Sequence, residues 1–304
     1  MSESKVLSAL AQITDELKNF ERIARAIKPR PGSIPSLPGI DVHGEIMPLN
    51  GIVGGDHLIY MDFKKRYDLD ARIEKAAKEG RLEVVENLKR CQDLAGIVLI
   101  DVSGHQTTDA MLTGMVHQAF LMGAMYELEM FGNLTSKLFE NLNTRFYRSS
   151  AVNKFITAIY GEISADARFR FLSAAHPLPL IFSAQFDRFV EICPESLTTF
   201  PPLGTLPSEH DIDRDKHESV LGFKGRYRVN ELELMGSGDI LLLCTDGLTE
   251  HSRGQEEYFP SRLEAVVRAS KSMSAKDIVD AIKWDLLDFA DPSDDITLVA
   301  IKRT

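Results

Sequence analysis

The stretch Gly51-Ile52-Val53-Gly54-Gly55-Asp56-His57-Leu58 (GIVGGDHL) decides how the chain is read. A short apolar run ends in two glycines and an aspartate, a grammar shared by a nucleotide cyclase turn, a metal-binding strand end and an ordinary hairpin. The choice depends on the carboxylates downstream. IVLI (97–100) runs into Asp101, ILLLCT (240–245) runs into Asp246, and Asp294-Asp295 stand directly before ITLVAI (296–301). A carboxylate at the rim of a buried strand is partly desolvated, and several converging there repel one another unless cations neutralise them. Donors that are all oxygen, with no paired His or Cys nearby, suit a hard cation such as Mg2+ or Mn2+ rather than zinc. Taken singly, each acid has a plainer reading. Asp101 suits an Asx-turn, Asp109 a cap of the following helix, and Asp246 an Asp-Gly turn. Four segments repeating strand, acid, then Gly, Ser or a second acid favour metal.

Composition sets the bounds. The chain has 304 residues, 44% of them hydrophobic, which is ample for a buried core. A formal net charge of −10 argues against a nucleic-acid surface or an anionic membrane as the main partner. Cys91, Cys193 and Cys244 have no CxxC spacing, so neither a disulfide framework nor a zinc knuckle is expected, and a reducing cytoplasm fits. The N-terminus lacks the unbroken apolar core of a signal peptide, and no run is long enough to span a bilayer. A soluble, cytoplasmic protein is expected.

Residues 1–28 predict an amphipathic helix, with Val6, Leu10, Ile13, Leu17, Phe20, Ala24 and Ile27 on an a/d seam. The seam suits either packing on its own domain or pairing with a second copy, so a homodimer through residues 4–28 stands as one of two readings. Residues 29–39, rich in proline and glycine, form a linker. From residue 40 to 304, short strand-like runs separated by turn signals alternate with blocks of helix, which predicts an α+β fold with largely antiparallel sheets. Residues 64–90 are highly charged and helix-prone, a helical insertion between two strands whose plainest role is a solvated surface hairpin. Ser274 is placed to cap the last helix, ahead of Asp277.

VGGDH, LIDVSGH, AAHPLPLIF, PPLGTLP, GDILLLCTDGLTE and DDITLVAI, in this order, resemble the SpoIIE/RsbU-type branch of the metal-dependent protein phosphatases, relatives of the type 2C serine/threonine enzymes. The resemblance covers about residues 40–302. It implies a sandwich of two antiparallel sheets flanked by helices, with two metal ions, Mn2+ or Mg2+, in a cleft at one end. Carried over by position, Asp56, Asp101, Asp246 and Asp294 are the implied ligands and catalytic acids. The Val102 carbonyl joins them, and Asp295 is the less favoured acid of its pair. The implied reaction is hydrolysis of phosphoserine or phosphothreonine by a metal-activated water, with no protein nucleophile. The branch acts on small STAS-type anti-sigma antagonists and is switched through N-terminal segments, here residues 4–28.

This chain departs from the branch in three places. Gln106 replaces a glycine, Ile59 replaces the second acid of GGDxxD, and AGH reads Ala174-Ala175-His176. His105 and His176 are the tempting general acids, but a turn-ordering role for His105 and a packing role for His176 are preferred. Glu250 reads as a loop hydrogen-bond partner, and Arg145 and Arg148 as solvated surface. Two rival functions remain. In a diguanylate cyclase, Glu-Phe would stand where His57-Leu58 stand, and its other metal acid would lie upstream. A noncatalytic phosphatase-like binding module would not need all four acids.

Overall fold

Strand side chains alternate between faces with a period of two, and in this chain both faces are apolar. The computed structural model describes residues 3–29, 33–49, 54–104, 107–149, 154–193, 196–216, 219–233 and 236–304. One sheet is built from β1 (Ile40–Met47), β6 (Leu180–Ser183), β7 (Arg188–Val190), β10 (Ile240–Cys244) and β13 (Ile296–Arg303), in the order β1-β13-β10-β6-β7. The other runs β2 (His57–Asp62), β3 (Leu94–Val102), β4 (Ile156–Ser164) and β5 (Arg168–Ala174). Both β8 (Thr199–Phe200) and β9 (Asn230–Glu233) pair with β5. Pairing is antiparallel apart from the short β5–β8 contact. A small ribbon, β11 (Ser252–Arg253) with β12 (Glu256–Glu257), stands apart.

The alternation generates three cores. Leu58, Tyr60, Ile97, Leu99 and Phe171 of the β2 sheet meet Val42, Leu241, Leu243, Val299 and Ile301 of the β1 sheet, closing the sandwich. Intervening residues point outward. Val98, Ile100 and Val102 pack under helices α3 (Leu69–Lys78), α4 (Leu82–Cys91), α5 (Thr107–Phe131) and α6 (Ser136–Ser149). Leu242, Leu298 and Ala300 pack under α8 (Ser261–Ser270) and α9 (Ala275–Phe289). Each buried Leu, Ile or Phe stabilises this arrangement by about 1.5–3 kcal/mol relative to exposure. The fold is therefore helix, sheet, sheet, helix. Ser274 caps α9 as expected, its side chain accepting from the Asp277 amide.

Residues 64–90 are helical but are not a solvated hairpin. After the short helix α2 (Phe63–Arg66), α3 and α4 bury Leu69, Ala76, Val84, Val85 and Leu88 against the β2 sheet, and their charges face outward. The N-terminal helix α1 (Glu3–Ala26) contrasts with them. Ala24 is buried, whereas Leu10, Ile13 and Leu17 are 54%, 64% and 43% exposed. Among the described residues no helix is long and apolar enough to cross a membrane. A short helix, α7 (Asp246–Thr249), follows β10 at one end of the sandwich.

Candidate metal centre

The sheet registers carry the acids to one end of the sandwich. His57 pairs with Ile100, so one step further along the antiparallel ladder Asp56 comes alongside Asp101. Cys244 pairs with Leu298, so the chain beyond β10, Thr245-Asp246, meets the chain before β13, Asp294 to Thr297. Asp56 is 5% exposed, and Asp101, Asp246 and Asp294 are half-buried.

The electrostatics record how close these groups stand. Burial, and next the charge of Asp101, push the Asp56 carboxyl well above the usual carboxylate range, against the hydroxyls of Thr245 and Thr297. Asp101 is pushed up to about 7, first by burial, then by Asp246, Asp294 and Asp295, against a hydrogen bond from Thr157. Asp246 is raised by burial, then by Glu250 and Asp294. Mutual repulsion of this kind is what a bound cation removes. Among the described residues, no three His, Cys, Asp or Glu side chains are already gathered tightly enough to hold an ion.

The Asp294-Asp295 pair divides its work. Asp295, 3% exposed, accepts the Leu49 and Gly55 amides, each at 2.7 Å, and so is a clamp on the segment leading to Asp56. Asp294 accepts the Asp295 amide through Oδ1 at 2.8 Å, and its charge acts on both Asp101 and Asp246. Glycines make the approach possible. A Cβ on Gly54 would collide with the Asp295 carboxylate, and one on Gly55 with the carbonyl oxygens of Val102 and Gly104. One on Gly247 would strike the Asp295 carbonyl.

Several contributors escaped the sequence reading. Thr245, fully buried, accepts the Thr297 amide at 2.9 Å and donates to Asp56 Oδ2 at 2.7 Å. Its hydroxyl proton is thereby directed onto the carboxylate. The only signal was its place before Asp246. Thr297 Oγ1 is buried without a partner at hydrogen-bonding geometry, although the hydroxyl lies near enough to Asp56 to lower it. Lys154 donates to the Ser103 carbonyl at 2.8 Å and pairs with the buried Asp109 at 3.0 Å, which ties the loop after Asp101 to the first turn of α5. Thr113 donates to the Gly55 carbonyl at 2.8 Å.

The histidines separate. His176 is 4% exposed, with Nδ1 2.9 Å from Thr157 Oγ1, and burial holds it down to about 3, which suits packing rather than acid catalysis. His105 and Gln106 lie outside the described residues, as does the side chain of Arg148. Glu250 is exposed at the end of α7, its amide donating to the Asp246 carbonyl at 2.7 Å, and Arg145 is exposed on α6. Ile59 is a core residue, 2% exposed.

An all-oxygen donor set, glycine-lined backbone and an orphaned hydroxyl fit a hard divalent cation. Residues 92–304 match the family model of stage II sporulation protein E (SpoIIE). The chain belongs to the SpoIIE family. Solved structures agree in fold. The SiaA-PP2C domain of Pseudomonas aeruginosa is 16% identical, with a TM-score of 0.62, and the match covers 97% of this chain and 98% of that one. The RsbU and RsbW domains of Rv1364c from Mycobacterium tuberculosis are 20% identical at a TM-score of 0.60, over 88% of this chain. The PP2C phosphatase domain of SpoIIE from Bacillus subtilis, with a fragment of its regulatory domain, is 14% identical at 0.59, over 86%. This chain spans 61% of the Mycobacterium chain and 63% of the Bacillus one. No curated protein matches. In this SpoIIE fold the GGD aspartate precedes an edge strand of a sandwich, not the βαββ unit of a cyclase.

Proposed function

We propose that this SpoIIE family member is a metal-dependent protein serine/threonine phosphatase. The carrying observation is that the sheet registers bring Asp56, Asp101, Asp246 and Asp294 to one end of the sandwich, where burial, and then neighbouring carboxylates, raise Asp56, Asp101 and Asp246. Asp56, Asp101, Asp246, Asp294 and the Val102 carbonyl would hold two Mn2+ or Mg2+ ions, and Asp295 keeps its clamp. Such ions supply Lewis acidity to a phosphoryl group and acidify a water as nucleophile. Thr245 fixes the Asp56 carboxylate, Asp295 fixes the Gly55 amide, and Lys154 holds the loop that presents Val102. This reading needs no protein nucleophile, so the chain's part is positioning and charge.

The substrate in this reading is a phosphoserine or phosphothreonine on a cytoplasmic regulatory protein of the STAS anti-sigma antagonist type. The RsbU and RsbW domains in the Mycobacterium structure support that choice. Helix α1 serves as a regulatory, pairing element. Its exposed Leu10, Ile13 and Leu17 suit a second copy, and its end bears on the catalytic domain where Ile27 lies against Gly114 of α5.

The test is phosphate release from a phosphoserine peptide and from p-nitrophenyl phosphate. Release that needs Mn2+, stops with EDTA and vanishes in Asp246→Asn supports the reading. No release under any metal, with turnover of GTP instead, overturns it in favour of a cyclase.

A further inference from the structure

Where α1 ends, a cleft of about 320 Å3 opens between Ile27–Pro29, the edge strand β2 and α5. Lys28, Arg66 and His117 line it, and among the described lining residues there is no aspartate or glutamate. The chain as a whole carries a net charge of −10. Burial, and next the Arg66 charge, hold His117 down to about 4, so the lining brings two cationic side chains and one neutral imidazole from separate elements to one concave surface, an arrangement that an anion completes.

Geometry aims these donors into the cleft. His117 is 8% exposed, and its Nδ1 lies 2.7 Å from His57 Nε2, which leaves Nε2 for the cleft. An oxyanion there favours the tautomer in which His57 donates to His117 Nδ1, so that His117 Nε2 presents its own hydrogen to the ligand. Arg66 is anchored by Nη2 donating to the Tyr60 carbonyl at 3.1 Å, which holds its planar fork at the cleft wall. That same bond shows that Tyr60 turns its carbonyl out of the sheet. In an antiparallel ladder the N–H of a residue points the same way, so the Tyr60 amide faces this edge too. Burial lowers Lys28, and the acid that offsets this, Asp295, belongs to the metal-centre loop rather than to the cleft.

We propose that this cleft is an anion site for a compact oxyanion of the phosphate class, free or carried on a small metabolite, which fastens the end of α1 to the catalytic domain. Its volume sits at the lower end of small-molecule sites, about 300–1,000 Å3. That admits phosphate with its waters or a small phosphate monoester. The lining holds none of the four acids, although Lys28 also borders Asp56 in a smaller neighbouring pocket, and the proposal does not depend on the phosphatase reading.

The experiment is thermal unfolding of the full chain in EDTA, in inorganic phosphate against chloride at equal ionic strength. The site predicts a saturable rise in the midpoint that survives Asp246→Asn. In the double variant Lys28→Gln, Arg66→Gln the apparent affinity falls at least about tenfold, as loss of charge-assisted hydrogen bonds requires. Absence of a rise overturns the proposal. So does a rise that Asp246→Asn abolishes or that the double variant keeps, since either assigns the phosphate elsewhere. Should the double variant not fold, wild-type crystals soaked in selenate decide: anomalous density among Lys28, Arg66 and His117 supports the site, and its absence there overturns it. Ribose 5-phosphate in the same titration separates the sources. Tighter binding than phosphate identifies a metabolite-borne group, and equal or weaker binding identifies the free ion.

Discussion

Thr245 joins the two sheets at the rim of the sandwich: its hydroxyl donates to Asp56 Oδ2 at 2.7 Å, from the end of β10 to the segment that enters β2. The Thr297 amide holds the same hydroxyl from behind at 2.9 Å, so the donor cannot turn away. Removing that hydroxyl leaves the buried Asp56 oxygen and the Thr297 amide unpaired, which costs about 1–3 kcal/mol. Thr245→Val therefore loses about that much stability in urea unfolding and binds Mn2+ more weakly, because Asp56 holds its proton more tightly. Thr245→Ser, which keeps the hydroxyl, restores most of both. Equal stability and metal affinity in the valine variant would remove Thr245 from the account.

The raised Asp101 carboxyl predicts a pH slope. Its folded value of about 7 exceeds the ordinary 3.8, so the metal-free fold binds the proton more tightly than the unfolded chain. That contribution is complete below about pH 4 and is lost as pH rises through about 7. With EDTA present, the wild type should therefore lose stability across this window more steeply than Asp101→Asn. Mn2+ reverses the slope, because protons and metal compete for the same oxygens. Parallel slopes for the two proteins in EDTA would show that Asp101 is not raised.

Gly55 tests the backbone cradle. A methyl group there meets the carbonyl oxygens of Val102 and Gly104, which are main-chain atoms and cannot swing aside. Gly55→Ala is expected to destabilise by about 1–3 kcal/mol and to lower metal affinity by displacing the Val102 carbonyl. Gly225→Ala is the control, since its nearest neighbour is the end of the Glu209 side chain at 3.7 Å. If the two variants behave alike in thermal unfolding and metal titration, the cradle has no special role.

The seam of α1 makes a prediction about size. Leu10→Asp with Leu17→Asp places charge at two positions that are 54% and 43% exposed in one protomer and would be buried between two. Light scattering should show the mass fall from dimer to monomer, and phosphatase activity should change with it. Unchanged mass and activity would return α1 to a solvated helix.

Much of the fold was legible because strand residues such as Leu298 and Val299 are apolar on both faces, which only layers on both sides can bury. The charged stretch at 64–90 misled. Its lysines and glutamates dominate the composition, yet Leu69, Ile73 and Ala76 recur at helical spacing, as do Val84, Leu88 and Cys91. Helix periodicity, not charge density, set its burial. The acids of the candidate site stood out because each interrupts an apolar run. Thr245, Lys154 and the His57–His117 pair did not. Their partners lie 189, 45 and 60 residues away in the chain, and no local pattern encodes a register between sheets. The division of labour between Asp294 and Asp295 was equally hidden, since it depends on which carboxylate meets the Gly55 amide.

The central claim is that acids from four segments form one cation-binding cleft. Anomalous diffraction from a crystal soaked in Mn2+ tests it most directly. The account predicts two peaks bounded by Asp56, Asp101, Asp246 and Asp294, with the Asp295 carboxylate still on the Leu49 and Gly55 amides. A single peak elsewhere, or none among these four residues at saturating Mn2+, would contradict it.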